Sequence, residues 1–379
     1  MCFMQMAISG ASRNYTVGLI VIAFYLLIMV PIVTSNLGTA LSTYKSLTRL
    51  PFAFFVLLTI MNFIYSRGSS VVDMTLLACI VMFYLFLVHS IDDGKAIEHA
   101  IIGYGLGSCI LSILFYFGVG VEYDVDYRLW MFGSNPNELG TCICLGMFVV
   151  LIKFIVEDIL HLKLFKFIFV VPILLSFPII LATGSRTALF ELLLMFIITI
   201  IIYPTKKTFL KVFMIIGGAY LAYFYLSRLV NTDMSIARRL LTTFEEGNTG
   251  GRTEIWERYI PHIFEHPIFG IGEAGFNTLG QDLNLVDSRG YGLSPHNVII
   301  EVLLYTGFVG LSIMIAFWGK VAKRAFLIFK ETKAILPLLV TIPILADILS
   351  GQILNAKFAW LIYAYIIITY NNNHCSSIA

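Results

Sequence analysis

Residues 100–120 read AIIGYGLGSCILSILFYFGVG, a run without one charged side chain. A helix needs roughly 20 residues to cross the hydrocarbon core of a bilayer, so this segment is long enough to span it. Further apolar runs with few or no charges lie at 17–35, 50–65, 71–90, 137–156, 164–183, 187–203, 209–226, 297–318, 335–350 and 354–370. The sequence therefore predicts about eleven transmembrane helices, within a range of about 10 to 12.

The composition supports an all-α polytopic membrane protein. Hydrophobic residues make up 59% of the chain and charged residues 13%, whereas soluble domains contain about 25% charged residues. A membrane-spanning β-barrel would show alternating segments of about ten residues, and the sequence has none. The net charge of +2 gives no reason to expect a nucleic acid partner. The cysteine positions suggest neither a disulfide framework nor a metal site.

The basic residues assign the predicted helices to sides of the membrane. They cluster in three loops, at 163–166, 206–211 and 320–333. Under the positive-inside rule these loops face the cytoplasm, and the number of spans between them agrees with that placement. The segments that then face outward are 121–136, 184–186 and 227–296.

The outward segment 227–296 is the only long aqueous part of the predicted topology. It divides the chain into N-terminal transmembrane helices at 1–226, a large outer loop at 227–296 and C-terminal transmembrane helices at 297–379. Apolar residues recur at helical spacing from 252 to 265, opposite charged ones, which predicts an amphipathic helix in the membrane interface. We expect Pro261 to kink it.

Three polar segments precede inward-running helices on the outer side, so three helix N-termini are expected there. Helix N-termini bind anions, and we expect Asn137 and Asn297 to act as N-caps. Arginines lie on the same side, and their planar guanidinium groups suit phosphate. They are Arg128, Arg186, Arg228, Arg238, Arg239, Arg252 and Arg258. The outer face is therefore predicted to bind a phosphate-bearing ligand, although any single interfacial arginine could simply anchor a helix end.

His296 is the candidate general base in this outer region. A histidine titrates near neutral pH, and the positive end of a helix favours its neutral, proton-accepting form. A lone histidine at a membrane interface is more often structural, so the residue type alone leaves both roles open. Glu301 lies one turn further along, where an ionisable group is costly. We expect it to pair with an arginine or to orient His296.

The spacing around His296 resembles a known family signature. His296 and Asn297 are followed, after nine residues, by Gly307-Phe308-Val309-Gly310. Asn-Pro-Asn at 135–137, Gly-Ser-Arg at 184–186, Gly-Arg at 251–252 and Pro-Ile-Phe-Gly-Ile-Gly at 267–272 precede it in order. Together they resemble the O-antigen ligase and polysaccharide polymerase family of bacterial membrane proteins.

The resemblance implies a chemistry and a site. Such proteins transfer a glycan from undecaprenyl diphosphate to an acceptor sugar hydroxyl, on a glycan or a lipid A-core, at the outer side of the cytoplasmic membrane. They resemble membrane-embedded (GT-C-like) glycosyltransferases that invert the anomeric centre and use no metal or other cofactor. The implied roles are a general base for His296, diphosphate binding for Arg186 and Arg252, and support for Asn297, Glu301, Asn135 and Arg128.

Alternatives remain at this point. The sequence does not separate a ligase from a polymerase, since both use the same donor. A transporter or flippase of a lipid-linked oligosaccharide would show internal repeats and helices broken near the membrane centre, and the sequence shows no repeat. A scaffold or sensor would give His296 and the arginines no special role. Asp124-Val125-Asp126 comes nearest to a metal-binding motif, but its neighbours do not fit one.

Overall fold

A computed structural model of the chain describes residues 17–66, 72–123, 128–132, 134–157, 159–160, 166–202, 251–287, 290–351 and 353–375. Several predictions concern residues outside these ranges. They are the span at 209–226, most of the basic loop at 163–166, the basic loop at 206–211, residues 227–250 of the outer loop with Arg228, Arg238 and Arg239, and Asp124-Val125-Asp126.

Helices dominate the described part of the chain. They are α1 Val17–Thr43, α2 Lys45–Tyr65, α3 Met74–Asp92, α4 Ala96–Tyr116, α5 Pro136–Val150, α6 Lys166–Ala182, α7 Arg186–Ile202, α8 Arg252–Ile263, α9 Gly272–Asp282, α10 Val298–Thr332, α11 Leu336–Leu339, α12 Thr341–Ser350 and α13 Lys357–Cys375. A π-helical segment, Leu151–Val156, continues α5. The strands β1 (Val121–Tyr123) and β2 (Leu129–Met131) pair as a short antiparallel hairpin.

Several of these helices are long and apolar enough to cross a membrane. Among the described residues there are five: α2, α3, α4, α10, and α5 together with its π-helical extension. Shorter apolar helices lie at Leu27–Thr43, Ile168–Ala182 and Leu336–Ser350. The prediction of an all-α membrane protein is confirmed, whereas the count of eleven spans stays a prediction.

The chain divides into two compact units. The first unit comprises Met1–Leu27, Glu98–Asn248 and Ile328–Pro343. Within it α5 is the central helix, packed against α6 and α7. The hydroxyl groups of Ser112 and Ser176 lie 2.9 Å apart and join α4 to α6. The Thr141 hydroxyl donates to Glu191 Oε1 over 3.1 Å and joins α5 to α7.

A buried lysine occupies the end of the central helix in the first unit. The ammonium group of Lys153 lies 2.6 Å from Glu98 Oε1 and 2.8 Å from Glu157 Oε2. Leaving a charge unpaired in such surroundings is costly, and two carboxylates offset that cost. This pairing explains how the predicted span at 137–156 accommodates a lysine.

The second unit comprises Ile28–Ile97, Thr249–Leu327 and Ile344–Ala379. Here α3 packs against α13, and α9 packs against α2. The core contains a cluster of aromatic rings from Phe83, Phe317, Trp360 and Tyr363, with centroid separations between 5.0 and 6.1 Å. Edge-to-face ring pairs of this kind add to the stabilisation from burial alone.

The amphipathic helix predicted at 252–265 is confirmed as α8. Tyr259 and Ile263 are its buried residues, and the Tyr259 ring lies 5.0 Å from that of Phe276 in α9. Glu254 and Glu257 are exposed on the other face. Tyr259 and Ile263 therefore contact protein, whereas Ile260 and Phe264 are exposed, and the place of α8 in a membrane interface stays a prediction.

Candidate functional site

His296 lies directly before the long helix α10 and is held there by its neighbours. Its backbone is left-handed, with φ 48°, and its N–H donates to Ser294 Oγ over 3.1 Å. Asn297 caps α10, since its side-chain oxygen accepts from the N–H groups of Ile299 (3.0 Å) and Ile300 (3.2 Å). The predicted N-cap at Asn297 is confirmed. The cap fixes where the helix starts, and therefore where the imidazole is presented.

The electrostatic setting of His296 favours the neutral ring. Burial lowers the pKa of the imidazole, and the positive charge of Arg252 lowers it further. From the sequence we expected the positive end of the helix, and not burial, to favour the neutral form of His296. Among the residues that the structure describes, none hydrogen-bonds to the ring nitrogens of His296. Within this part of the chain the imidazole is therefore available to accept a proton from a substrate.

Helix α8 brings Arg252 to the histidine. Arg252 is the first residue of α8 and follows Gly251, whose φ is 77°. One turn later the Trp256 indole N–H donates to the carbonyl oxygen of Pro295 over 2.7 Å. This bond fastens α8 to the residue before His296. The helix that begins with the predicted Gly-Arg element is thus bonded to the histidine motif within one unit.

The glycine part of the signature forms a break in α10. Gly307 has φ 61° and ψ −162°, values outside the helical region. The segment 267–270 fits into this break, because the N–H groups of Phe308 and Val309 donate to the carbonyl oxygens of Pro267 (2.8 Å) and Ile268 (3.2 Å). A Cβ atom at 307 would lie 2.4 Å from the Ile268 backbone, so only glycine fits. The two glycine-containing motifs therefore serve one backbone junction.

Glu301 bonds to a partner that the sequence did not predict. Its Oε1 accepts a hydrogen bond from the Tyr305 hydroxyl over 3.2 Å. Among the described residues it bonds neither to an arginine nor to His296, and three of the arginines named from the sequence lie outside those residues. Tyr305 lies one turn further along the same helix, and an i, i+4 contact of this kind forms locally.

In the first unit, Asn135 and Arg128 support the start of α5. Asn135 is the N-cap, and its side-chain oxygen accepts from Asn137 N–H over 2.9 Å. The expected cap at Asn137 is therefore wrong, because Pro136 occupies the first turn and the helix begins earlier. Arg128 donates through Nη2 to Asn137 Oδ1 over 2.7 Å and through Nε to the Thr183 carbonyl over 3.0 Å. It connects the start of α5 to the turn before α7.

Arg186 is the first residue of α7 and stands at the end of that turn. Gly184 turns the chain with φ 62°, and the Ser185 hydroxyl accepts from Ala188 N–H over 3.2 Å, which caps α7. The first unit therefore presents an arginine at a capped helix N-terminus, an arrangement that favours anions.

The predicted site residues fall into two groups. Arg128, Asn135 and Arg186 belong to the first unit, whereas Arg252, His296, Asn297 and Glu301 belong to the second. In the first unit, Arg128 bonds to Asn137 and to Thr183, and so connects the start of α5 to the turn before Arg186. In the second unit, Trp256 of α8 bonds to Pro295, directly before His296 and Asn297.

Two residues near this region were missed from the sequence. Tyr305 was read as part of an apolar span, although a tyrosine one turn after a buried glutamate is a signal for a hydrogen bond. Glu273 lies at the start of α9, where burial raises its pKa to about 7 and the charge of Asp73 adds to this. Among the described residues, no three His, Cys, Asp or Glu side chains lie close enough to hold a metal ion.

Comparisons with known proteins agree with the motif analysis. Residues 143–315 match the family model described as O-antigen ligase. An O-antigen ligase from Pseudomonas aeruginosa is 27% identical over 158 residues, which cover 39% of this chain and 34% of that protein. The chain thus spans about a third of the curated relative it matches. Arg186, Arg252 and His296 fall inside the matched range, whereas Arg128 and Asn135 precede it.

Proposed function

We propose that this chain, whose residues 143–315 match the O-antigen ligase family, transfers a glycan from undecaprenyl diphosphate to an acceptor sugar hydroxyl. The family match supports a glycan-transfer function in O-antigen biosynthesis and a bacterial membrane location. The observation that carries the finer proposal is His296, a partly buried imidazole before the capped start of α10, whose pKa is lowered by burial and by the charge of Arg252. We place the reaction on the outer side of the cytoplasmic membrane, as the distribution of basic residues predicts.

In the proposed reaction His296 acts as the general base. One ring nitrogen accepts the proton of the acceptor hydroxyl while its oxygen attacks the anomeric carbon of the donor sugar. The bond between that carbon and the diphosphate oxygen breaks, and the diphosphate leaves with the electron pair. A single displacement inverts the anomeric centre. The burial that lowers the pKa of His296 keeps the ring neutral at pH 7, so the base is ready before the acceptor arrives.

Arg252 and Arg186 are the proposed diphosphate ligands. Each is the first residue of a helix, where the positive end of the helix dipole adds to the charge of the guanidinium. A fixed positive charge stabilises the negative charge that develops on the leaving group. We propose that these arginines take the place that a divalent cation has in other transferases, so that transfer is independent of metal. Asn297 fixes the start of α10 through its bond to Ile299. Arg128 fixes the turn before α7 through its bond to Thr183.

Transport of a lipid-linked oligosaccharide is the second candidate function. The break at Gly307 is the kind of helix interruption that transporters use. It lies where segment 267–270 packs into α10, and backbone hydrogen bonds to that segment fill it. This position favours a structural role for the break over a role in transport.

Ligase and polymerase remain joint assignments, because both use this donor chemistry.

Replacing His296 tests the proposal. We expect His296→Ala, purified in lipid nanodiscs with undecaprenyl-diphosphate-linked glycan and acceptor, to lose about 10²- to 10⁴-fold in kcat, as general-base removal does. The matched control is His99→Ala, an exposed histidine on α4, which should retain full activity. Undiminished transfer by His296→Ala would rule out the general-base role.

A further inference from the structure

The second unit contains a cavity away from the proposed reaction centre. It has a volume of about 150 Å³ and is open to the surface. The end of α2, the end of α8 and one face of α9 surround it. Its polar lining consists of Tyr65, His262, Glu265, His266, Thr278 and Asp282.

Two pairs of side chains in the lining are held in place by contacts. His262 Nδ1 lies 2.9 Å from Glu265 Oε2. The Tyr65 hydroxyl lies 3.4 Å from His266 Nδ1, and the two rings meet edge to face with centroids 5.8 Å apart. Glu265, His266 and Asp282 are exposed, so a ligand can reach them from water. The cavity thus combines an aromatic ring with hydrogen-bonding groups, and contacts within the lining orient Tyr65, His262, Glu265 and His266.

The volume of the cavity and the charges of its lining indicate which class of ligand it can bind. Drug-sized ligands occupy pockets of roughly 300–1,000 Å³, so 150 Å³ suits a smaller group such as one sugar ring. Carboxylates accept hydrogen bonds from hydroxyl groups and repel anions. Among the described residues no group of three His, Cys, Asp or Glu side chains could hold a metal ion, so the cavity offers no such cluster. The chemistry fits a neutral or amino sugar better than a uronic acid.

Helix α8 relates this cavity to the proposed base. Near its first turn Trp256 bonds to Pro295 and the charge of Arg252 acts on His296, whereas His262 lies in its last turn. At a rise of 1.5 Å per residue, positions 252 and 262 are separated by about 15 Å along the helix axis. A ligand in the cavity is therefore too far from His296 to be the reacting sugar, but a glycan chain could reach both.

We propose that the cavity between α2, α8 and α9 binds a neutral or amino sugar of the glycan substrate, removed from the sugar that reacts. The inference rests on the proposed glycan transfer and adds a subsite to it. Its consequence is a preference for chains of several sugars, because only a chain occupies the reaction centre and the cavity together.

Direct binding tests the subsite without using turnover. The probes are oligosaccharides one to four sugars long, one series of neutral hexoses and N-acetylhexosamines and a matched series carrying a uronic acid. Saturation-transfer NMR on the purified protein should show binding that strengthens with length in the neutral series. Asp282→Asn and His266→Ala should weaken it about tenfold, whereas Glu257→Gln, on the exposed face of α8, should not. Equal binding by all variants, or stronger binding of the uronic series, would overturn the subsite.

Transfer kinetics separate the subsite from the proposed function. Asp282→Asn should raise the KM for the glycan about tenfold and leave kcat unchanged. Normal KM in Asp282→Asn and His266→Ala, with wild-type transfer intact, refutes the subsite alone. Length-dependent binding that the cavity variants weaken, in a wild-type protein that transfers nothing, refutes the transferase assignment and supports the sugar site.

Discussion

Arg186 and Arg252 each begin a helix after a glycine with positive φ, yet their surroundings differ. The turn before Arg186 is fixed by side chains, since Arg128 bonds to the Thr183 carbonyl and Ser185 caps α7. The start of α8 has no side-chain cap, but Arg252 lies close enough to His296 to lower its pKa. The bonds around Arg186 thus fix the position of that arginine, whereas Arg252 changes the acid–base behaviour of His296. Similar motifs in sequence can therefore serve different purposes.

Of the three arginine substitutions, Arg252→Ala should lower the rate of transfer most. We expect Arg252→Ala to lower kcat/KM by about 10²- to 10³-fold, the usual cost of losing one preorganised charge at a leaving group. It should also raise the pKa of His296, because the nearby positive charge is gone. Arg252→Lys keeps that charge and should keep the pKa low. If Arg252→Ala and the wild type have the same pH profile, the electrostatic link between the two residues is absent.

Replacing Arg186 should affect binding more than acid-base behaviour. We expect Arg186→Lys to raise the KM for the lipid-linked donor by about tenfold, because lysine lacks the planar fork that grips two phosphate oxygens. The pH dependence of transfer should stay that of the wild type. Donor titrations of the two proteins provide the measurement. An unchanged KM would count against bidentate diphosphate binding at Arg186.

Arg128→Ala should act mainly on stability. The substitution removes hydrogen bonds to Thr183 and Asn137, and a bond from a charged donor contributes about 1.5–3 kcal/mol. We expect about 2 kcal/mol lower unfolding free energy in detergent and a smaller loss of activity. Arg49→Ala, at an exposed position, is the control. A large loss of kcat without loss of stability would indicate that Arg128 contacts substrate.

The membrane helices were predictable because lipid demands long apolar runs, and α4 and α10 lie where the sequence predicted spans. Periodicity likewise predicted α8. What the pattern could not show was how Lys153 is tolerated, since its partner Glu98 lies far away in the sequence. Long-range partners depend on helix packing, which one-dimensional periodicity does not encode.

The candidate site shows the same division between local and tertiary information. Asn297 was predicted as an N-cap from its position before an apolar run, which is local information. The expectation for Asn137 was wrong although Pro136 signalled an earlier start. The fit of segment 267–270 into the break at Gly307 could not be predicted, because it joins two motifs through backbone contacts between distant elements.

The pH dependence of kcat/KM for glycan transfer tests the central claim most directly. A neutral His296 is required, so activity should rise with pH through the pKa of the free enzyme's histidine, with a midpoint below 6.5. Arg252→Ala should move that midpoint upward, and His296→Ala should remove this limb of the profile. A midpoint at or above 6.5 in the wild type, or the same limb in His296→Ala, would contradict the assignment of His296 as the base.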